Sequence, residues 1–512
     1  MPTSLSTPPE LWLEVFKALP TAALASVTET SRAFAALARP LLFAHFEFVP
    51  YGCSMGRRDG GWDIIYHLLG GEELQRAASI LDTWTSNSIA PLVRSCTIRA
   101  SRSRDSLVAE DNEEAAMRLS GLHTFFSRLS RFTKLKHVLL DDVTLPTDAL
   151  SNIYHLLPSL EVLYIVCRFS RQPVAFENTR ALAKLRKLVL KIESQHTVTT
   201  SATLAAYRPF FGSAMLKELD LSCNLRAWSE DPHDIPTFPT VTHVRIYPNL
   251  TVQPVFASLL PKFPVLQDLT IVGISSAHPA IPDIVSGCRS LVSTVAHLST
   301  GSSALVELFL YGDKSALRTL HFPAGDNIST LCKLIQTAHP LLVCLSLDVP
   351  TAKASLLAPM WACLPALRSL KINFQRVFRG EDAPDASEES KLAPSYLQSL
   401  CAPHSLAPTL QTLVLKWHFL FCSPAWPQQL AHTDFDLPAV AAAVAAATPT
   451  LTAIGVDAAS FALRWQCRAA ATGLLRGEPW VDEAAFAAEN IASYERIQRA
   501  VEQMWVDEGL RL

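Results

Sequence analysis

Cysteine and histidine are the residues of this 512-residue chain whose spacing would most readily reveal metal or redox chemistry. The 11 cysteines are an odd number, and the closest two, Cys332 and Cys344, are 12 residues apart, so no Cys-x-x-Cys pair occurs. The 15 histidines are dispersed, and none forms an i,i+4 pair. We therefore predict no metal site and no disulfide framework, and we interpret the cysteines as reduced core residues.

Glycine, the residue on which phosphate-binding loops depend, is scarce, with 18 copies in the chain. Gly52, Gly56, Gly60 and Gly61 cluster, but they lack the spacing of a phosphate loop. Neither a His-Glu-x-x-His helix nor a Rossmann glycine pattern is present. We predict that the chain is not an enzyme, with no catalytic residues and no cofactor, and we interpret the glycine cluster as part of a linker.

The bulk composition is that of a folded protein, with 49% hydrophobic and 18% charged residues. A net charge of −3 provides no basic surface for nucleic acid or an anionic membrane. The N-terminus has no secretory pattern, and the apolar stretch 438–447 is far shorter than the ~20 residues that span a bilayer. We expect protein partners and a cytoplasmic and/or nuclear location.

A short pattern, Leu-x-x-Leu-x-Leu with conservative variants, recurs through most of the chain and organises it. Six steps between copies are 25 residues each, and the step from Leu266 to Leu317 is 51, which predicts a degenerate copy near Leu291. The copies begin at Val93, Leu135, Leu160, Leu185, Leu216, Val241, Leu266, Leu317, Leu342, Leu367, Leu410 and Leu451.

Each copy predicts one short strand whose last two apolar residues enter the core. The intervening segments predict helices, such as 147–157 with Thr147 as its cap and Pro158 after its end. One strand and one helix in 25 residues resembles the leucine-rich repeat. We therefore predict an α/β fold, with a right-handed leucine-rich-repeat solenoid of parallel strands over 91–456.

Outward positions on neighbouring predicted strands alternate in charge, with Lys187 and Lys191 followed by Glu218 and Asp220, then by Arg245. One interpretation is a ladder of cross-strand ion pairs on a solvated sheet. The other is a concave target-binding face. Its candidate residues are Lys187, Glu218, Asp220, His243, Arg245, Tyr247 and Asp268.

Two segments interrupt or end the repeat. The acidic run 380–390 predicts a solvated loop inserted in one repeat, with a regulatory or binding role as the alternative. After Val456 the pattern becomes helical, and within Asp482–Trp505 the residues Ile491, Tyr494, Ile497, Val501 and Trp505 form an apolar stripe. We predict a C-terminal helical cap over 457–512 that covers the open end of the solenoid.

The first 48 residues have a different pattern, which predicts three short helices. Thr7 and Glu10 can form a capping box, with Pro8 at the first turn, and Pro20 ends the first helix. A second helix begins at Thr21, and a third runs over Thr30–Ala38 and ends before Pro40. So small a group of helices cannot bury all its apolar residues by itself, so some must face a partner or the next domain.

This segment resembles the F-box, through Pro8-Pro9-Glu10-Leu11, Val15-Phe16, Leu24, Ser31-Arg32-Ala33-Phe34 and Pro40-Leu41-Leu42. It departs from the F-box pattern at Thr7 and Thr30, where apolar residues are usual. The resemblance implies docking to a Skp-type adaptor and a cullin ligase core, with the solenoid binding a target protein. The implied adaptor-binding residues are Pro8, Pro9, Glu10, Leu11, Val15, Phe16 and Leu24.

The predicted order is therefore an F-box over 1–48, a helical linker over 49–90, the solenoid and the cap. Two alternatives stay open. The N-terminal helices could be a simple cap of the solenoid, or the chain could be a protein-binding scaffold that works outside ubiquitin transfer. The sequence does not identify the target.

Overall fold

The computed structural model describes most of the chain in two compact units, residues 1–265 and 266–512. The described residues are 8–58, 61–69, 71–99, 113–146, 148–169, 182–192, 207–222, 235–247, 255–274, 277–312, 314–323, 328–376, 395–402, 405–419, 437–457, 462–469 and 475–481. Thr7, Thr147, the acidic run 380–390 and the stripe within Asp482–Trp505 lie outside them.

Helices and strands alternate along each unit. The helices are α1 (Pro9–Lys17), α2 (Thr21–Thr30), α3 (Arg32–Leu42), α4 (Gly71–Trp84), α5 (Glu113–Ser127), α6 (Ala149–Leu156), α7 (Phe256–Leu259), α8 (Ile281–Cys288), α9 (Ser303–Tyr311), α10 (Ile328–Ala338) and α11 (Leu437–Ala447). Turns of 3₁₀-helix occupy Ala90–Leu92, Leu129–Arg131, Leu260–Lys262, Arg289–Leu291 and Thr351–Cys363.

The first unit contains a parallel sheet and a separate hairpin. Its strands are β1 (His45–Phe48), β2 (Tyr51–Arg58), β3 (Gly61–Leu68), β4 (Ser95–Arg99), β5 (His137–Leu145), β6 (Val162–Phe169), β7 (Lys187–Ile192), β8 (Glu218–Ser222) and β9 (His243–Ile246). The parallel order is β1-β4-β5-β6-β7-β8-β9, whereas β2 and β3 pair antiparallel with each other.

The second unit continues the same pattern of strands. They are β10 (Asp268–Ile271), β11 (His297–Thr300), β12 (Thr319–Phe322), β13 (Cys344–Pro350), β14 (Ser369–Arg376), β15 (Thr412–Phe419), β16 (Ala453–Asp457), β17 (Ala462–Ala469) and β18 (Leu475–Val481). Strands β10 to β16 are parallel neighbours in chain order, and β17 and β18 follow antiparallel.

The repeated leucines set the register between strands. Val138, Leu163 and Leu188 are partners on successive strands, and each is at most 1% exposed. At the start of β6 the backbone N–H groups of Glu161 and Val162 both donate to the Lys136 carbonyl of the preceding repeat, at 2.7 and 3.0 Å, and those of Arg186 and Lys187 donate likewise to the Glu161 carbonyl before β7. Buried apolar side chains and backbone hydrogen bonds therefore stack the strands, which confirms the predicted α/β repeat sheet.

Strands β1 and β11 lie at positions that the repeat pattern did not predict. Strand β1 follows Phe43, and its inward residues Phe46 and Phe48 are at most 2% exposed, so aromatic residues replace the repeat leucines there. The sheet therefore begins at His45, well before residue 91. The degenerate copy predicted near Leu291 is present as Val295-Leu298-Thr300, which leads into β11, and it begins four residues later because Leu291 lies in a 3₁₀ turn.

Both segments predicted to be helical next to the repeats contain strands. The range 49–90 holds the hairpin of β2 and β3 as well as α4, so it is not an all-helical linker. The range after Val456 holds β17, which pairs with β16 through its backbone, and β18 beyond it. The open edge of β16 is thus covered first by an antiparallel strand.

The three N-terminal helices form, but their ends differ from the prediction. Helix α1 begins after Pro8, and the predicted capping box depends on Thr7, which lies outside the described residues. Helix α3 is capped by Ser31, whose hydroxyl accepts from the Phe34 N–H at 3.1 Å, and it continues through Pro40. A proline near the end of a helix removes one backbone bond, and the helix tolerates that loss.

Candidate functional site

The three N-terminal helices pack around a small aromatic core. Phe16, Leu24 and Ala38 are buried there, one from each helix. The Phe34 ring lies 4.9 Å from Trp12 and 5.4 Å from Phe16, measured between centroids, at angles that favour aromatic pairs. This core holds the three helices together, and most of their large side chains are packed in it.

The opposite side of α1 presents apolar residues to solvent. Leu11 and Val15, one turn apart, are 57% and 50% exposed, and they share one face of the helix. Pro8, Pro9 and Glu10 are also exposed, at the start of the same helix. Lys17 and Glu14 form an ion pair at 2.6 Å near this face. The result is a small apolar surface with a charged edge.

The seven predicted adaptor-binding residues therefore fall into two groups. Five of them, Pro8 to Leu11 and Val15, line the exposed side of α1. Phe16 and Leu24 are 2% and 7% exposed, so they hold the helices together and can influence a partner only by positioning α1. The four-residue spacing of Leu11 and Val15 predicts that these two share a helix face, whereas the burial of Phe16 follows from its packing in the folded structure.

The outer face of the first sheet is the side opposite its buried leucines. On it, the Lys187 Nζ lies 2.6 Å from the Glu218 Oε2, and these residues are register partners on β7 and β8. Both side chains are nearly half exposed, so the pair contributes little to stability. This pair is one step of the predicted charge ladder.

A denser group surrounds Lys191 on the same face. Its Nζ lies 3.8 Å from the Asp220 Oδ2, donates to the Tyr247 hydroxyl at 3.3 Å, and sits 4.9 Å from the Tyr247 ring centroid. The Arg245 guanidinium lies 5.1 Å from the same ring, and Tyr164 lies on the other side of Lys191 at 5.9 Å. These contacts combine ion pairing with cation–π attraction.

Burial controls the electrostatics of this group. It raises the pKa of Asp220, although Lys191, Arg245 and Lys187 act in the opposite direction. It also raises the pKa of the Tyr164 hydroxyl. A partly buried carboxylate among two cations and two aromatic rings can bind a polypeptide by hydrogen bonds, charge and ring contacts.

The structure places six of the seven predicted target-binding residues on this face: Lys187, Glu218, Asp220, His243, Arg245 and Tyr247. His243 lies on β9 as the register partner of Glu218, and its ring bonds the neighbouring Thr242 hydroxyl at 2.8 Å. Asp268 belongs to the second unit, where it lies 3.8 Å from His297. Tyr164 was missed, although its position between Leu163 and Ile165 marks it as an outward residue of β6.

The glycine cluster contains one segment, Gly52-Cys53-Ser54-Met55-Gly56, with the Gly-x-Ser-x-Gly form of a hydrolase nucleophile elbow. That motif requires a sharp turn between a strand and a helix, which exposes the serine. Here Ser54 lies inside β2 and pairs with Ile65 of β3. The segment therefore lacks the geometry of a nucleophile elbow.

Among the residues that the structure describes, no group of three or more His, Cys, Asp or Glu side chains could hold a metal ion. Burial raises the pKa of the Cys96 and Cys288 thiols, which keeps them protonated. In the same part of the chain, no helix has the length and apolar character needed to cross a membrane.

No protein-family model and no curated protein matches this chain. Among solved structures, the crystal structure of the leucine-rich repeat-containing protein LegL7 from Legionella pneumophila is similar, with a TM-score of 0.36 and 13% sequence identity. The similarity covers 70% of this chain and 96% of that protein.

Proposed function

We propose that this chain is the substrate-recognition subunit of a Skp–cullin–F-box ubiquitin ligase. In this proposal α1 to α3 dock onto a Skp-type adaptor, which bridges to a cullin and a RING subunit, and the sheet binds the target protein. The observation that carries the proposal is the pair of exposed apolar residues on α1, Leu11 and Val15. The resemblance to the F-box, which begins at Pro8, is the second support for the proposal.

The packing of the helices supports a docking role for this surface. The large residues of α1 to α3 pack into one core, yet Leu11 and Val15 remain on the outside. Clustered apolar side chains next to polar ones are typical of the centre and rim of a protein interface. A helical group that only capped the sheet would gain nothing from keeping them exposed.

The target-binding half of the proposal is supported by the group around Lys191. Aromatic residues and arginine contribute most to protein interfaces, and Tyr164, Tyr247 and Arg245 lie together on one outer face. The ion pairs among these residues also fit a solvated ladder. Target binding by the sheet is therefore independent of adaptor binding by α1 to α3. A protein-binding scaffold outside ubiquitin transfer would use only the target-binding face.

The test replaces Leu11 and Val15 together with glutamine, which retains helix propensity and removes the apolar surface. Apolar anchors at such interfaces contribute about 2–4 kcal/mol each, so affinity for a purified Skp-type adaptor should fall at least about 1,000-fold. Isothermal calorimetry measures the affinity, and circular dichroism checks that the chain remains folded.

Ile80→Gln is the matched control. Ile80 is 47% exposed on α4, outside the proposed docking surface, so its replacement should leave the affinity for the adaptor unchanged. Equal affinity of the wild-type chain and a folded Leu11→Gln, Val15→Gln variant would contradict the proposal.

A further inference from the structure

A second polar group lies on the outer face of the second unit, on strands β12 to β14. His321, Ser346 and Lys371 occupy one row of register partners, and Asp348 and Asn373 occupy the next. All five alternate with buried leucine, isoleucine or phenylalanine residues, so they project away from the leucine core. We call His321, Ser346, Asp348 and Asn373 the amide cluster.

The side chains of the amide cluster are connected across the strands. The Asn373 Nδ2 donates to the Asp348 Oδ1 at 2.6 Å, and the His321 Nε2 lies 3.8 Å from the same oxygen. The His321 Nδ1 is 3.4 Å from the Ser299 hydroxyl on β11. Burial acts to raise the pKa of Asp348, but His321, Asn373 and Lys371 together hold it below its ordinary value. Asp348 is therefore a carboxylate at neutral pH.

Three side-chain atoms of the cluster are buried without a hydrogen bond: the His321 Nε2, the Ser346 Oγ and the Asn373 Oδ1. The His321 Nε2 faces the Asp348 carboxylate at ion-pair distance, whereas within the described part of the chain the Ser346 Oγ and the Asn373 Oδ1 have no partner, although Ser346 is 3% exposed and Asn373 is 7% exposed. Buried polar atoms in native proteins are almost always paired, because an unpaired one loses its hydration without compensation. Two such atoms in adjacent rows indicate a site that a ligand completes.

The orientation of Asn373 specifies what the ligand offers. Because its Nδ2 is bonded to Asp348, its Oδ1 is presented as an acceptor and requires an N–H donor. The Ser346 hydroxyl, on the neighbouring strand, can donate to a carbonyl oxygen. A ligand that satisfies both atoms carries a donor N–H and an acceptor C=O close together.

Hydrogen bonding and charge together exclude the simpler ligands. A carboxylate or phosphate has no N–H to donate to the Asn373 Oδ1, and its charge would lie beside Asp348. An ammonium or guanidinium group would approach Lys371, whose charge already acts on Asp348. A neutral carboxamide meets neither repulsion. His321 and Lys371 are partly exposed, so the cluster has a side that faces solvent.

We propose that the amide cluster binds a carboxamide group of a polypeptide, with the Asn373 Oδ1 accepting its N–H and the Ser346 hydroxyl donating to its C=O. The carboxamide comes either from an Asn or Gln side chain or from an extended main chain. The proposal deepens the target-binding half of the proposed function and is independent of the docking of α1 to α3.

The test uses two small probes on the full chain: propionamide as a side-chain amide and N-methylacetamide as a main-chain amide. Propionate is the control that keeps the size of propionamide and lacks the N–H. The readout is the NMR signal of the His321 ring, assigned by its loss in His321→Gln. We expect a saturable shift with at least one amide and none with propionate. The amide that binds more tightly identifies the source.

Ser346→Ala should weaken amide binding about tenfold, the value of one hydrogen bond, while its melting temperature stays the same or rises because an unpaired hydroxyl is removed. Thr270→Ala, which changes an outward residue of β10, is the matched control and should bind the amides like wild type.

Four results would overturn the proposal. They are the absence of a saturable shift with either amide, an equal shift with propionate, full amide binding by Ser346→Ala, and a melting temperature lowered by several degrees in that variant. Adaptor affinity of the same variant should equal that of wild type, which separates this result from a failure of the ligase proposal.

Discussion

At the scale of single residues, position in the repeat decides whether a polar side chain faces solvent or a crowded strand face. Lys187 and Glu218 are nearly half exposed and pair as the charge pattern predicted. Asp220, two residues further along β8, lies among Lys191, Arg245 and Tyr247, and its Oδ1 atom is buried without a hydrogen bond in the described residues. Charge alternation could be read from the sequence, whereas this difference in burial depends on neighbouring strands.

Asp220→Asn should stabilise the chain at neutral pH. Burial raises the pKa of Asp220 above its unfolded value of about 3.9, so the folded state binds the proton more tightly than the unfolded state. Ionisation therefore costs stability, and this cost is complete above the folded pKa and absent below the unfolded one. We expect a higher melting temperature for Asp220→Asn at pH 7.

The advantage of Asp220→Asn should disappear below about pH 4, where the wild-type carboxyl is protonated in both states. Glu218→Gln is the matched control on the same strand. It breaks an exposed ion pair worth about 0.2–1 kcal/mol, so its melting temperature at pH 7 should stay equal or fall slightly. A lower melting temperature for Asp220→Asn at pH 7 would mean that the charged form is needed for stability.

At the scale of elements, the repeat pattern predicted most parallel strands because each strand depends on the same two buried apolar positions. It failed where other residues fill them. On β1 the two buried positions are occupied by Phe46 and Phe48, and on β11 they are occupied by Leu298 and Thr300. A search for any large apolar residue at these spacings, rather than for leucine, would have found β1 through Phe43, Phe46 and Phe48.

The antiparallel strands could not be predicted from that pattern. Strands β2, β3, β17 and β18 pair through their backbones, and their residues have no 25-residue period. The end of α3 was also predicted imperfectly, because this helix passes through Pro40. The exposed surface of α1 was predictable only in part, since burial of Phe16 depends on its packing against Phe34.

Phe16→Ala should loosen the three N-terminal helices without unfolding the sheet. Phe16 is 2% exposed, and removal of a buried phenylalanine side chain costs about 3–5 kcal/mol. Hydrogen exchange should accelerate in α1, α2 and α3 and remain unchanged in β5 to β8. Leu163→Ala, in a fully buried sheet position, is the control and should produce the opposite pattern. Uniform acceleration across both regions in the Phe16 variant would show that the helices and sheet unfold together.

At the scale of the whole molecule, the parallel strands of each unit need protection at their open edges. In the second unit β17 pairs with β16, so the first cover of that edge is a strand. An uncovered edge exposes backbone N–H and C=O groups that can pair with another chain. The predicted C-terminal helix lies beyond this hairpin, outside the described residues, and it stays a prediction.

Two truncated chains distinguish the contribution of β17 and β18 from that of the predicted C-terminal helix. A chain that ends at Asp457 loses β17 and β18, and we expect it to aggregate because the edge of β16 becomes available for pairing. A chain that ends at Val481 keeps both strands, and any further loss of solubility reports on the predicted helix. Light scattering after size-exclusion chromatography measures both chains. A monomeric, soluble chain ending at Asp457 would contradict the role of β17 as an edge cover.

In the proposed function, helices α1 to α3 dock a ligase core and leave the sheet free for a target. The most direct measurement mixes the purified full chain with a purified Skp-type adaptor and a cullin–RING pair at micromolar concentration, followed by size-exclusion chromatography with light scattering. We expect a single complex with one copy of each protein, which the Leu11→Gln, Val15→Gln variant does not form. Separate elution of the folded wild-type chain from the adaptor and cullin would contradict it.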